Sequence, residues 1–318
     1  MQKTNYINCP ICNKDETDIV FTKGNLNQDL VNVICKNCSL VYINPSPTKA
    51  EYHEYHKQDF LDEKNLKDMQ DIREKMKIRD YVLKQTIFDF IESYIKPKMK
   101  ILDIGCGFGT FLDIVKNKVN VEVYGVELGR LDVEAAKKYY NLDLFNGSLE
   151  EFSTNQENHN KFDVIITHHT FEHLPNPLES LGQIKKLLKT DGVLYIAVPN
   201  LMNIKKRPDI LFQIAHPFTY SPYSLSLILE YVGFGIIKYN RNAGYPGGFE
   251  VIAKIGEKKI LELDEGKDYQ KVIEYVKKVD HNFAKMRGLR DSFFFWLPEN
   301  IKIGISHKIY QFLKNIKK

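Results

Sequence analysis

What the 318-residue sequence lacks bounds it first. No uninterrupted apolar run reaches the roughly 18 residues that a membrane-spanning helix needs. The opening MQKTNYINCP has none of the apolar stretch of a secretory signal. The expectation is a cytoplasmic globular protein, and 43% hydrophobic residues are enough for a substantial core. The excess of one sign of charge is also small, and +4 overall gives no argument for a nucleic-acid partner. The basic excess is local: Lys285, Arg287, Arg290, Lys302, Lys308, Lys314, Lys317 and Lys318 face only Asp291 and Glu299. That tail mixes aromatic with basic residues, which suits helices packed on the core or on a second subunit. Peripheral contact with the inner face of a membrane is the second reading.

Cysteine is rare too, and its placement carries the first positive signal. Four of the five cysteines form two pairs, Cys9-Pro-Ile-Cys12 and Cys35-Lys-Asn-Cys38, with 22 residues between them. Two residues between thiolates let both sulfurs of a tight turn face one tetrahedral ion, and two such turns close a four-sulfur structural zinc site. A hairpin loop around Gly24-Asn25 absorbs the length between pairs. Disulfides are disfavoured in a cytoplasmic chain. The alternating stretches DIVFTKG and LVNVICKNCSLVYINP predict small antiparallel strands around the knuckles.

Pro45 and Pro47 end this module. His53 and His56 in EYHEYH read first as a solvated polar segment, and second as spare ligands or the rim of a substrate mouth. From Leu66 to about Ile95 apolar residues recur at helical spacing (Met69, Ile72, Met76, Ile78, Val82, Ile87, Phe90, Ile91), predicting a long helix or a broken pair.

MKILDIGCGFGTFLDIVKN then gives a buried-strand run, a glycine-rich turn at Gly105-Cys106-Gly107-Phe108-Gly109, and a helical pattern. Glycines let the backbone approach a ligand closely, and the following helix offers its N-terminal amides. A second strand ends in Glu127, placed 22 residues after Gly105, where a carboxylate can accept both hydroxyls of a ribose. Strand and helix keep alternating through LDLFNGS, KFDVIITHH, a helix from Pro177 to Leu188, and GVLYIAVPN. This α/β pattern predicts a parallel sheet with helices on both faces and a ligand at the carboxyl ends of its strands.

The order Asp103 to Gly109, Glu127, Gly147-Ser148, Phe162-Asp163-Val164-Ile165 and Leu187-Leu188-Lys189-Thr190-Asp191-Gly192-Val193 resembles the class I S-adenosylmethionine-dependent methyltransferases over about Lys98 to Gly256. The resemblance implies a Rossmann-like seven-stranded sheet, with YVGFGIIKYN and GGFEVIAKIG as its final antiparallel pair. It implies that Asp103, Gly105, Cys106, Gly107 and Gly109 surround the amino-acid part of the methyl donor, Glu127 and Leu128 the ribose, and Ser148 and Leu149 the adenine. Many relatives carry Asp where Ser148 stands, so the adenine contact falls to backbone groups, the Ser hydroxyl or Glu150. A nicotinamide dinucleotide is disfavoured, because its fingerprint is G-x-G-x-x-G and this chain has G-x-G-x-G. Cys106 has no His or basic sequence neighbour and reads as a small filler.

Residues 169 to 173 spell H-x-x-E-H, a spacing also found in one class of zinc proteases. That chemistry needs a continuous helix, whereas His169 directly follows a strand and Pro175 and Pro177 limit any helix to about one turn. At a strand end, His168 and His169 are the first candidates for the base that deprotonates an acceptor. TFEHLPNPLESL resembles the E-H-x-x-x-P segment of small-molecule methyltransferases. In the ubiquinone-pathway O-methyltransferases the matching segment has an acid at the position of His169 and the same Glu-His pair, and is associated with a divalent metal. With His in place of the acid, bracing of the turn by Glu172 and His173 ranks above a catalytic divalent metal, and His173 stays a candidate catalytic residue. His216, Tyr220 and Tyr223 read equally as acceptor contacts, with His216 a possible base, or as packing.

The boundaries predicted are a zinc-binding module over 1–48, a helical lead-in or lid over 49–97, the S-adenosylmethionine-binding domain over 98–256 and a basic helical extension over 257–318. A four-cysteine module before such a core resembles bacterial methyltransferases of sugars, nucleotide sugars or surface-polysaccharide components, and the short C-terminal part tilts the reading to O-methylation. A sugar C-methyltransferase and an RNA methyltransferase holding its substrate with the zinc module are the alternatives. The module's few aromatics, Tyr6, Phe21 and Tyr42, speak against stacked bases. A non-catalytic nucleotide-binding protein is a third class. Oligomeric state is left open.

Overall fold

The structure is a computed structural model that describes residues 5–24, 29–48, 52, 81–205, 207–243, 247–256 and 264–295. The expectations for His53, His56, most of the predicted 66–95 helix and the tail beyond residue 295 lie outside the described residues.

Two sheets organise the chain. The first contains β1 (Thr17–Lys23), β2 (Asp29–Cys35) and β3 (Val41–Ile43), the antiparallel strands predicted around the cysteine pairs. The second is seven-stranded. It takes β4 (Lys100–Ile104), β5 (Glu122–Glu127), β6 (Phe145–Asn146), β7 (Phe162–His168) and β8 (Leu188–Pro199) in parallel. A two-residue strand, β9 (Phe218–Thr219), does not join this large sheet. It pairs antiparallel with β3 and completes the first sheet, so a segment of the second half of the chain is a strand of the cysteine module. β10 (Phe234–Ala243) and β11 (Gly248–Ile255) form the closing antiparallel pair. The order in the large sheet is β10-β11-β8-β7-β4-β5-β6: the parallel part follows the strand–helix alternation, and the antiparallel pair that makes the sheet mixed is the one the resemblance implies.

Strand sequences explain why both faces are covered. Along β7, Val164 and Ile166 enter one buried cluster and Ile165 the other; along β8, Val193, Tyr195 and Ala197 alternate with Leu194, Ile196 and Val198 in the same way. A near-continuous apolar strand is what a sheet buried on two faces requires. The helices Thr110–Lys118 and 81–91 supply Phe111, Leu112, Val115, Ile87 and Ile91 to one face. Pro177–Leu187 and Pro222–Val232 supply Leu181, Ile184, Leu225 and Ile228 to the other. Helix starts are fixed locally: Asn176 caps a helix with Pro at its first position, and Ser221 and Ser224 form a reciprocal capping box. The second face also takes in Cys9, Ile11, Cys35, Leu40 and Tyr42, so the cysteine module and the large sheet share one core. A helix at Tyr269–Phe295 packs Val272 and Val276 against Val20 and Ile34 of that module. Among the described residues no helix is long and apolar enough to cross a membrane.

Candidate active site

The glycine turn lies between β4 and the Thr110–Lys118 helix. Gly105, Gly107 and Gly109 have φ of 70°, 54° and 77°, in the left-handed region where a side chain is penalised. A β-carbon on Gly105 would collide with Thr170 of the histidine segment, and one on Gly109 would meet Leu142 at 2.7 Å. At Gly107 nothing lies within 4 Å, so backbone is offered to open space, as a ligand approaching the turn requires. Asp103 is buried just before the turn.

Glu127, at the end of β5, ties two loops together. Its Oε2 accepts from Gly107 N at 2.9 Å and its Oε1 from Gly129 N at 2.8 Å. Leu128 beside it is 57% exposed, an apolar surface next to the turn. Ser148 is the N-cap of the Leu149–Thr154 helix, and its hydroxyl accepts from Glu151 N at 3.1 Å while Glu151 Oε2 accepts from Ser148 N at 2.7 Å. Leu149 is buried. The Cys106 side chain points into the core, with Sγ 3.6 Å from Val126 O. Burial raises its thiol well above the ordinary value, ahead of the charges of Asp103 and Glu127. That is the inert filler expected from sequence.

The segment after β7 is irregular, as its prolines require: a single 3-10 turn over Phe171–His173 ends before the Pro177–Leu187 helix. His169 has φ 53°, an uncommon conformation for a non-glycine residue and one that clusters at functional sites. Its Nδ1 lies 3.3 Å from Glu172 Oε1. Burial pushes the Glu172 carboxyl up, but the His169 hydrogen bond and the neighbouring histidines outweigh it and hold it below the ordinary value. His168 lies edge-on to His169 with ring centres 4.6 Å apart. Its Nδ1 is 3.3 Å from Lys84 Nζ. Burial, then the Lys84 charge, keep its pKa well below that of free histidine.

His173 and His216 come together although they are 43 positions apart in the chain. His216 is buried, and burial followed by His173 lowers its pKa to about 4. Tyr220 is buried and stacked on Phe171 at 5.3 Å; Tyr223 is half-buried.

Two residues of this region escape sequence reasoning. Lys84 sits on the stripe that also carries Ile87, Phe88 and Ile91, and a lysine on a buried helical face is the signal that marks it. The Tyr52 hydroxyl touches His173 O and lies 3.0 Å from Ala215 O. In sequence it stands just before His53 in EYHEYH, with no local pattern to mark it.

The four paired cysteines converge as their spacing predicts. One ligand atom from each lies within 4.8 Å of the others. Cys9 Sγ and Cys38 Sγ are 3.3 Å apart, and Cys12 Sγ and Cys35 Sγ 3.5 Å. A disulfide would need about 2.05 Å. Sulfurs around a tetrahedral zinc with bonds of about 2.3 Å lie roughly 3.8 Å apart, so this donor set fits the ion.

A family profile described as "Methyltransferase domain" matches residues 72–239. The chain belongs to that family, and it carries a class I S-adenosylmethionine-dependent methyltransferase domain. It is 34% identical over 108 residues to a ubiquinone biosynthesis O-methyltransferase of Actinobacillus pleuropneumoniae, covering 32% of this chain and 46% of that protein. It is 32% identical over 109 residues to a ribosomal protein L11 methyltransferase of Thermosipho africanus, covering 34% and 40%. The chain therefore spans less than half the length of these curated relatives. Among solved structures, an S-adenosylmethionine-dependent methyltransferase from Archaeoglobus fulgidus aligns with TM-score 0.47 and 21% identity, covering 57% of this chain and 94% of that one.

Proposed function

We propose that this chain transfers a methyl group from S-adenosylmethionine to a hydroxyl oxygen of a small acceptor, with sugars, nucleotide sugars and surface-polysaccharide components as the acceptor class. The observation that carries the oxygen chemistry is the Glu172–His169 pair at the carboxyl end of β7. The bound donor supplies an electrophilic methyl on a sulfonium; the chain must hold the oxygen in line and take its proton. Glu172 Oε1 accepts from His169 Nδ1–H, which makes Nε2 the lone-pair nitrogen and His169 the base. Lys84, an ammonium with donors only, gives His168 Nδ1 an accepting role and puts its ring proton on Nε2. His168 then donates a hydrogen bond to the acceptor oxygen and orients it. The relative from Actinobacillus, an O-methyltransferase by name, supports oxygen as the atom methylated. The saccharide class rests on the resemblance of the cysteine module and the Glu-His turn to sugar-modifying enzymes.

Asp103, the three glycines, Glu127, Leu128 and the Ser148-Leu149 helix start are the groups that hold the donor, with Cys106 contributing only backbone. The four cysteines hold a structural zinc, which secures the strand that carries Phe218 and Thr219. Labelled donor, supplied with a panel of nucleotide sugars and polysaccharide fragments and read by mass spectrometry, tests the reading. Label on a sugar oxygen is the expected result. Label on a sugar carbon, on RNA, or on no acceptor while the donor still binds would defeat it.

A further inference from the structure

We propose that Tyr220 is the positioning residue of the Glu172–His169 pair: its buried hydroxyl donates to Glu172 Oε2, so that the carboxylate is held at both oxygens and keeps the ring proton of His169 on Nδ1. Two buried groups of complementary kind carry the inference. Glu172 is 2% exposed; Oε1 lies 3.3 Å from His169 Nδ1, whereas Oε2 is buried with no protein partner among the described residues. Tyr220 is 1% exposed, and its hydroxyl is likewise buried with no such partner. A buried acceptor and a buried donor are each costly when left alone, and one hydrogen bond between them removes both costs.

Two distant pieces of chain bring these groups together. Glu172 is in the 3-10 turn over Phe171–His173, and Tyr220 directly follows β9. The Tyr220 ring stacks on Phe171, the residue before Glu172, with ring centres 5.3 Å apart and planes 28° apart. Burial, then the charge of Glu172, push the phenol well above its ordinary pKa, so the hydroxyl keeps its proton and is a donor. The neighbouring histidines, in their neutral form, do not compete for Oε2. His173 Nδ1 is 2.7 Å from Ala215 O, and His216 Nδ1 is 2.7 Å from Leu211 O. A carbonyl only accepts, so the single proton of each neutral ring is spent there.

The Tyr220 backbone is fixed from both sides. β9 pairs with β3 just before it, Leu201 N donates to Tyr220 O at 2.9 Å, and Ser221 just after it caps the Pro222–Val232 helix. A small turn of either side chain then closes the hydrogen bond, directly or through one buried water. A carboxylate gripped at one oxygen can rotate about its last bond and free the imidazole to move its proton between nitrogens. Gripped at both, it holds one tautomer. The effect on turnover rests on the reading of His169 as the base; the tautomer itself does not.

The test is nitrogen-15 correlation NMR of the histidine rings in the full-length protein, in alkaline buffer. It compares the native chain with Tyr220→Phe, which keeps the ring on Phe171 and removes only the hydroxyl. His169 signals are assigned by their loss in His169→Gln. Native His169 is expected to show a protonated Nδ1 and a bare Nε2. In Tyr220→Phe the two nitrogens are expected to average toward each other, with the circular dichroism spectrum and S-adenosylhomocysteine binding unchanged. With the nucleotide sugar that takes label as acceptor, kcat is expected to fall about tenfold and KM to change less. The same fixed tautomer in both chains overturns the inference whatever kcat does. So does a native ring that already averages. A fixed native tautomer that averages in Tyr220→Phe supports the inference even where label reaches no acceptor oxygen, an outcome that defeats only the reading of the reaction.

Discussion

Thr170 fills the space directly over Gly105, so the glycine turn and the segment that carries the histidines are packed against each other without room for a β-carbon. Gly105→Ala meets both this contact and a left-handed φ of 70°. The backbone penalty alone is about 1–2 kcal/mol. A lowered thermal midpoint and weakened binding of S-adenosylhomocysteine by calorimetry are expected. Gly107→Ala, with open space around it, should keep most stability and still lose affinity. Equal affinity in both variants and the native chain would remove the turn from the donor site.

Glu127 joins the glycine turn to the loop after β5 through two backbone amides. Hydrogen bonds to a charged group contribute about 1.5–3 kcal/mol each. Glu127→Gln keeps the shape but loses the charge and one acceptor. Roughly tenfold or greater weakening of donor binding is expected by titration calorimetry, with little change in the circular dichroism spectrum.

For the acceptor side, His169→Ala is expected to lower kcat by about 10²–10⁴, the usual contribution of a positioned base. Glu172→Gln should follow it in direction, since the carboxylate fixes the ring's tautomer. His168→Asn, which keeps an N–H donor, should raise KM more than it lowers kcat. An unchanged kcat in His169→Ala identifies another base.

Much of this arrangement is legible in the sequence, and the reasons for the remainder are physical. Glycines at 105, 107 and 109, the acid at 127 and the alternation of apolar strands announce themselves because backbone conformation and two-sided burial constrain residue type locally. The cysteine pairs do so because thiolates two residues apart have few other uses. The meeting of His173 with His216, the seat of Lys84 under His168 and the reach of Tyr52 depend on how distant segments pack, and no local periodicity encodes them. The pairing of β3 with β9 is hidden for the same reason: two residues, Phe218 and Thr219, are too short a run to show a strand pattern.

His168 also sets a pH response. Its folded-state pKa is depressed by burial and by Lys84, with His169 adding to the effect. The unfolded chain takes up the proton first, below about pH 6.5. Stability from this group is therefore fully present above pH 6.5 and declines as pH falls toward the lower folded value. The urea midpoint should drop between pH 7 and pH 5. Lys84→Met removes the like charge and should shallow that drop, and His168→Asn should remove its share. A drop as steep in His168→Asn as in the native chain assigns the effect elsewhere.

Chelation tests how the cysteine module is coupled to the loop that carries His216. Cys35 closes β2, and β2 pairs with β3. β3 in turn holds β9 by Val41↔Thr219 and Tyr42↔Phe218, two and three residues beyond the buried His216. Ser39 adds a side-chain hydrogen bond to Lys267 O at 2.5 Å. A structural zinc site contributes folding free energy directly, and chelation withdraws it. Strong chelator is therefore expected to speed amide exchange in β3 and β9 before it does so in β4, β5 and β7, which pair within the large sheet and not with β3 or β9. Acceptor KM should rise while donor affinity changes little, because Gly105, Gly107 and Glu127 follow β4 and β5 of the large sheet, with which β9 does not pair. Exchange that accelerates uniformly over both sheets would mean that the module and the large sheet unfold as one cooperative unit, and the KM effect would then vanish into a general loss of folded protein.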